Sequence, residues 1–190
     1  LTSNSRRQDT DGELAHTHAN VRNSAIFGVL FALTMSAASF DWVMSLEPSW
    51  FSTIFGIYQF AGLFQGGIAA LIVLVILLRR MGYLRDTLNE NHLHNLGQWL
   101  IALSVFWAYI WFSQLMLIWY SNIPEETTYF IRRSQGEWWA LSYVVNPILN
   151  FAVPFLVLLP RPAKRSEYVL LRVALIVLVG HWIDLWIAII

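Results

Sequence analysis

Five stretches of this sequence, Ser24–Leu46, Ser52–Leu78, Gly97–Tyr120, Trp139–Leu159 and Tyr168–Ile190, are apolar over a length that crosses a bilayer. A transmembrane helix needs ~17–25 such residues. None of the five alternates apolar and polar residues as a barrel strand does. In hydrocarbon no water satisfies the backbone, so continuous apolar runs fold as helices, which close their hydrogen bonds internally. The chain is therefore read as an all-α integral membrane protein, a polytopic bundle over residues 24–190. A polar loop or surface segment, residues 1–23, precedes it. The composition agrees: 13% of the residues are charged, where soluble domains carry ~25%.

The formal net charge is zero, so no global field draws the chain to nucleic acid. It has no cysteine, which excludes iron–sulfur ligation, thiolate metal sites and covalent haem attachment within this chain. No two histidines fall on facing runs at one mid-membrane depth, so a bis-histidine haem has no seat. No catalytic residue, metal site or redox cofactor is expected here. The sequence begins at Leu1 and stops at Ile190 inside an apolar run, which reads as a piece of a longer polytopic subunit.

Orientation follows from the basic residues. Arg6, Arg7, Arg22, Arg79, Arg80, Arg85, Arg161, Lys164, Arg165 and Arg172 fall on one side of the five runs, and only Arg132 and Arg133 on the other. Cytoplasmic loops carry the excess of Lys and Arg, so residues 1–23, 79–96 and 161–167 are expected in the cytoplasm. The turn after Glu47 and the Ser121–Trp138 loop then face outward. Trp42, Trp50, Trp119, Trp138 and Trp139 are expected to form the outer aromatic belt.

Ionisable groups at membrane depth carry the functional signal, because each costs at least ~2.5 kcal/mol to insert. At ~1.5 Å per residue, Asp41 lies roughly 25 Å from the cytoplasmic side of the first run, and His181 and Asp184 roughly 20 and 24 Å into the fifth. His181 and Asp184 are three residues apart, on one helix face. The three are expected to form one hydrogen-bonded cluster on a proton path, with Glu47 at its outer mouth. The competing reading is static: Asp41 bonded to an indole or backbone group, and His181 and Asp184 locked in a buried pair. Near the opposite surface, His92 and His94 with Glu90 and Asp86 read either as a proton collector or as a solvated pair.

Polar side chains within the runs extend the pattern: Gln59 and Gln65; Gln98, Ser104, Tyr109, Ser113 and Gln114; Asn146 and Asn150. Gln65 and Gln114 are further proton-path candidates, although amides and hydroxyls between membrane helices also serve as packing glue. Pro147 and Pro154 each free a backbone carbonyl in the fourth run. Gly56, Gly62, Gly66 and Gly67 let another helix approach the second run closely.

The strings DWVMSLEPSWFSTIFGIYQFAG at 41–62, HLHNLGQWLIALSVFWAYIWFSQLMLIWYSNIPEET at 92–127, FLVLLPRPAKR at 155–165 and GHWIDLW at 180–186 together resemble alternative complex III, the bacterial quinol:cytochrome c oxidoreductase. The likeness is to its second polysulfide-reductase-like membrane subunit and covers most of residues 24–187. It implies a larger subunit of about ten spans in two bundles, these five being the C-terminal half. It implies a multi-pass protein of the bacterial cytoplasmic membrane that binds no cofactor itself. Its partners would be a homologous membrane subunit and subunits carrying iron–sulfur clusters and haem c, with quinol as the substrate of the complex. Its part would be proton conduction or support of quinol oxidation, and no quinone-binding residue is assigned here. An ion-coupled transporter or channel module, and a purely structural scaffold, are the alternatives.

Overall fold

The computed structural model describes residues 2–84, 87–136 and 138–189. Arg85, counted above for orientation, Asp86, offered as a proton collector, and the Leu1 and Ile190 ends lie outside them. Among the described residues eight helices follow one another: α1 (Thr2–Asp11), α2 (Leu14–Trp42), α3 (Phe55–Arg80), α4 (Glu90–Ser121), α5 (Pro124–Arg133), α6 (Trp138–Leu158), α7 (Arg161–Arg165) and α8 (Glu167–Ile189). Five of them, α2, α3, α4, α6 and α8, are long and apolar enough to cross a membrane. Among the described residues there is no strand.

The ends of these helices differ from the sequence expectation. The first span starts ten residues early, at Leu14, and α1 makes most of the remaining polar segment helical as well. Its 29 residues measure roughly 44 Å, more than the ~30 Å of a hydrocarbon core, so its polar first turns extend beyond it. The same span ends at Trp42, and a 3₁₀ turn, Met44–Leu46, leads to Pro48. Helix α3 begins at Phe55 with no side-chain cap among the described residues, and the Ser52 amide before it donates to Met44 Sδ at 3.3 Å. The third span also starts early, because Asn89 and His92 form a reciprocal capping box: Asn89 Oδ1 accepts from the Asn91 and His92 amides, and His92 Nδ1 accepts from the Asn89 amide. It ends in a left-handed Asn122 (φ 47°), and Pro124 then opens α5.

The fourth span, α6, is not a regular α-helix. Leu141–Val145 and Ile148–Ala152 are wound as π-helix, with amides reaching back five residues, as from Asn146 to Leu141 and from Val153 to Ile148. Pro147 and Pro154 carry no N–H, and the widened turns are the adjustment by which a membrane helix tolerates them.

Helix α3 is the hub. It packs on α4 and α8, while α6 closes the bundle against α4 and α8; α2 lies outside, on α3. Two apolar layers fill the interior. One joins Ile72, Ile76, Leu93, Leu100, Leu158, Leu170 and Val177. The other, at the Glu47 end, is aromatic, with Trp50, Phe55, Tyr58, Trp107 and Tyr129. Trp50 is thus a core residue, only 3% exposed, stacked on Tyr129 at 4.0 Å, and is not part of an interfacial belt. Trp42, Trp119 and Trp139 are exposed, as are Phe27, Leu30 and Leu33 on α2.

Candidate functional site: a buried polar layer around Asp184

Between the two apolar layers lies a sheet of polar side chains from four helices. Gln65 on α3, Ser104 on α4, Asn146 and Asn150 on α6 and Asp184 on α8 are all at most 3% exposed. Asp184 is the centre. Its Oδ1 accepts from the Tyr58 hydroxyl and, at 2.7 Å, from Asn146 Nδ2; its Oδ2 accepts from Trp107 Nε1 at 3.3 Å. All three donors are neutral. Among the described residues no Lys, Arg or His forms an ion pair with this carboxyl group.

The network continues through α6. Asn150 Nδ2 donates to Asn146 Oδ1 at 2.6 Å and to the Asn146 carbonyl at 3.2 Å. Gln65 Nε2 donates to the Asn150 carbonyl at 2.6 Å and to Ser104 Oγ at 2.9 Å, and Ser104 returns its proton to the Leu100 carbonyl at 2.8 Å. Pro154, four residues on from Asn150, has no N–H to offer that carbonyl, and Gln65 bonds it from another helix.

His181 is placed by shape. A Cβ added at Gly62 would lie 3.0 Å from His181 Cε1, and one at Gly66 would lie 2.9 Å from His181 Cδ2. The imidazole occupies a notch that only two glycines one turn apart on α3 leave open. The expected close approach therefore holds at Gly62 and Gly66, and at Gly56, where Ser36 and Phe40 of α2 press in. Gly67 has nothing within 4 Å and takes no part.

Asp41 is not in the cluster. It is exposed on α2, its side chain makes no hydrogen bond among the described residues, and α2 packs on α3 rather than on α8. An expected depth does not choose a face: Ser39 is the buried residue of this turn and Phe40 meets Gly56, while Asp41 is exposed. Glu47 is not an open mouth either. It pairs with Arg132 at 2.5 Å and Arg133 at 3.8 Å. Arg133, 5% exposed, lies 3.5 Å over the Tyr129 ring and donates to the Ile187 carbonyl at 2.8 Å, so it fastens α5 to the end of α8. Burial pushes the Tyr129 hydroxyl up to about 12, even though Arg133 works against it.

At the opposite end His92 is exposed and serves as a cap, and His94, half-buried, has an Nδ1 with no partner among the described residues. Gln98 and Tyr109 face outward. At the α1–α2 corner the Glu13 amide and His16 both bond Asp11, whose carboxyl they hold below its usual range. Asp11, Glu13 and His16 sit in exposed or half-buried positions and bring ligand-type atoms within 4.8 Å of one another.

The sequence does not mark Tyr58 and Trp107 as site residues, and it marks Arg133 only for orientation. The signal for the first two was spacing. Tyr58 is seven residues before Gln65, and Trp107 is three after Ser104 and seven before Gln114, so each shares a face with a candidate. In comparisons with known proteins, the chain matches no family model and no curated sequence.

Proposed function

We propose that this chain is a membrane subunit of a respiratory quinol oxidoreductase of the alternative complex III type, in which the Asp184 layer carries protons through part of the bilayer in support of quinol oxidation. One observation carries the reading: a carboxyl group 3% exposed in a membrane-spanning bundle, held only by neutral donors. Packing glue needs no ionisable group, since amides and hydroxyls supply it more cheaply. A carboxyl, a phenol and the His181 imidazole near it are groups that can take up and release protons. The amides of Asn146, Asn150 and Gln65 orient that layer. The resemblance of residues 41–62 and 92–127 supplies the respiratory context. It also supplies the partners, namely a second polysulfide-reductase-like subunit and iron–sulfur and haem c subunits in a bacterial cytoplasmic membrane.

A transporter module is favoured less. Transporters build their sites from interrupted helices in corresponding halves, and among the described residues α6 alone is interrupted by π turns. The test is purification of the native assembly with an Asp184→Asn variant. Haem c and iron–sulfur proteins should co-purify, and protons moved per electron should fall more than quinol oxidation. A chain that purifies without redox partners, or a variant that pumps normally, overturns the proposal.

A further inference from the structure

Two cavities meet at one side chain on α4. The inner one, about 40 Å³, is bordered by Tyr58, Asn146, Ser142, Tyr143 and Gln114. The outer one, about 290 Å³, is bordered by Ser52, Thr53, Glu126 and again Gln114. Gln114 is 5% exposed, and its amide makes no hydrogen bond among the described residues. The Ser142 hydroxyl on the inner cavity is buried and also has no partner among the described residues. Tyr58 and Asn146 form the inner wall and are themselves two of the three donors to Asp184.

We infer that Gln114 is the gate of a water route that joins the Asp184 layer to the Glu47 end of the bundle. This rests on the proton-conducting reading above. A cavity needs only ~10–15 Å³ to hold a water, given two to four polar partners; Ser142, Tyr58 and Gln114 supply them. An unpartnered primary amide offers two donors and an acceptor, so it can hand water from one cavity to the other by turning.

The other neighbouring space is a cavity of about 330 Å³ that shares Tyr143 and Phe130 with the inner one. That wall is tied. The Tyr143 hydroxyl sits 3.1 Å from Ser134 Oγ and donates to the Phe130 carbonyl. Arg133 also borders the inner cavity, but its guanidinium is committed to the Ile187 carbonyl and lies 3.8 Å from Glu47. The mouth of the route is thus beside Glu126.

The test is radiolytic hydroxyl labelling of the intact assembly, with rapid mixing into heavy-oxygen water and mass spectrometry of the Tyr58 peptide. Tyr58 should be labelled in the wild type. Its heavy-oxygen uptake should slow several-fold in Gln114→Leu and Gln114→Met and stay near wild type in Gln114→Glu. If Gln114→Leu does not assemble, the Met and Glu variants carry the comparison. An unlabelled Tyr58, or uptake indifferent to Gln114, overturns the gate. Proton translocation measured on the same samples separates the two proposals. Uptake that follows Gln114 while Asp184→Asn pumps normally removes the proton reading and leaves the gate. Pumping that depends on Asp184 with uptake indifferent to Gln114 does the reverse.

Discussion

Gln65 on α3 donates to the carbonyl of Asn150 on α6 at 2.6 Å, an acceptor to which Pro154, four residues on, has no N–H to offer. The contact joins two helices through a backbone atom that a regular helix would have kept for itself. Gln65→Leu leaves that carbonyl and the Ser104 hydroxyl short of a donor, so it should destabilise the bundle by about 1–3 kcal/mol. Bonds between membrane helices average only about 0.6 kcal/mol, so the lower end is expected. Adding Pro154→Ala returns an N–H to the Asn150 carbonyl, and the cost of Gln65→Leu should shrink in that background. A double-mutant cycle by detergent unfolding measures the difference; strictly additive costs would contradict this account.

Gly66→Ala should destabilise the α3–α8 contact, since its Cβ would stand 2.9 Å from the His181 ring. Gly67→Ala, one residue on with nothing within 4 Å, should be neutral or gain up to about 1 kcal/mol from helix propensity. His181→Ala should rescue Gly66→Ala, and thermal stability of the three variants reads the result.

Asp41→Asn should leave assembly and proton translocation close to wild type, because Asp41 is exposed and stands outside the network. Asp184→Leu should impair assembly, stranding the Tyr58, Asn146 and Trp107 donors at once. Yield of the assembled protein and translocation by Asp41→Asn check both statements.

The docking of α5 should weaken in alkali. Tyr129 is pushed up to about 12 in the folded protein from an ordinary 10.0, so the neutral phenol is favoured by folding. The sign is that of a raised pKa. The contribution is whole below the unfolded value and is lost as pH rises through the folded one. Stability should therefore fall between these two values, and Tyr129→Phe should abolish that part of the slope in a pH series of unfolding curves.

Single cysteines in this cysteine-free chain test orientation. Impermeant thiol reagents added outside the cell should label Glu125→Cys and not Arg165→Cys, both exposed positions at opposite ends of the bundle. The reverse pattern would invert the topology drawn from the charge count.

The sequence by itself determined that five long apolar runs are helices, because satisfying the backbone in hydrocarbon is a local requirement that each run meets alone. It also marked Asp184, His181, Gln65, Gln114 and the two α6 prolines, since a polar or helix-breaking residue at membrane depth stands out without any knowledge of its neighbours. Tertiary structure decided which groups meet. The rise per residue gives Asp41 and Asp184 similar expected depths, yet Asp184 faces Tyr58, Trp107 and Asn146, while Asp41 is exposed. That choice depends on how the helices are rotated and ordered. Fits between helices set the rotation, such as the His181 ring in the Gly62 and Gly66 notch and the Phe40 ring against Gly56. Such fits arise between residues far apart in the chain, and no local pattern in either helix contains them.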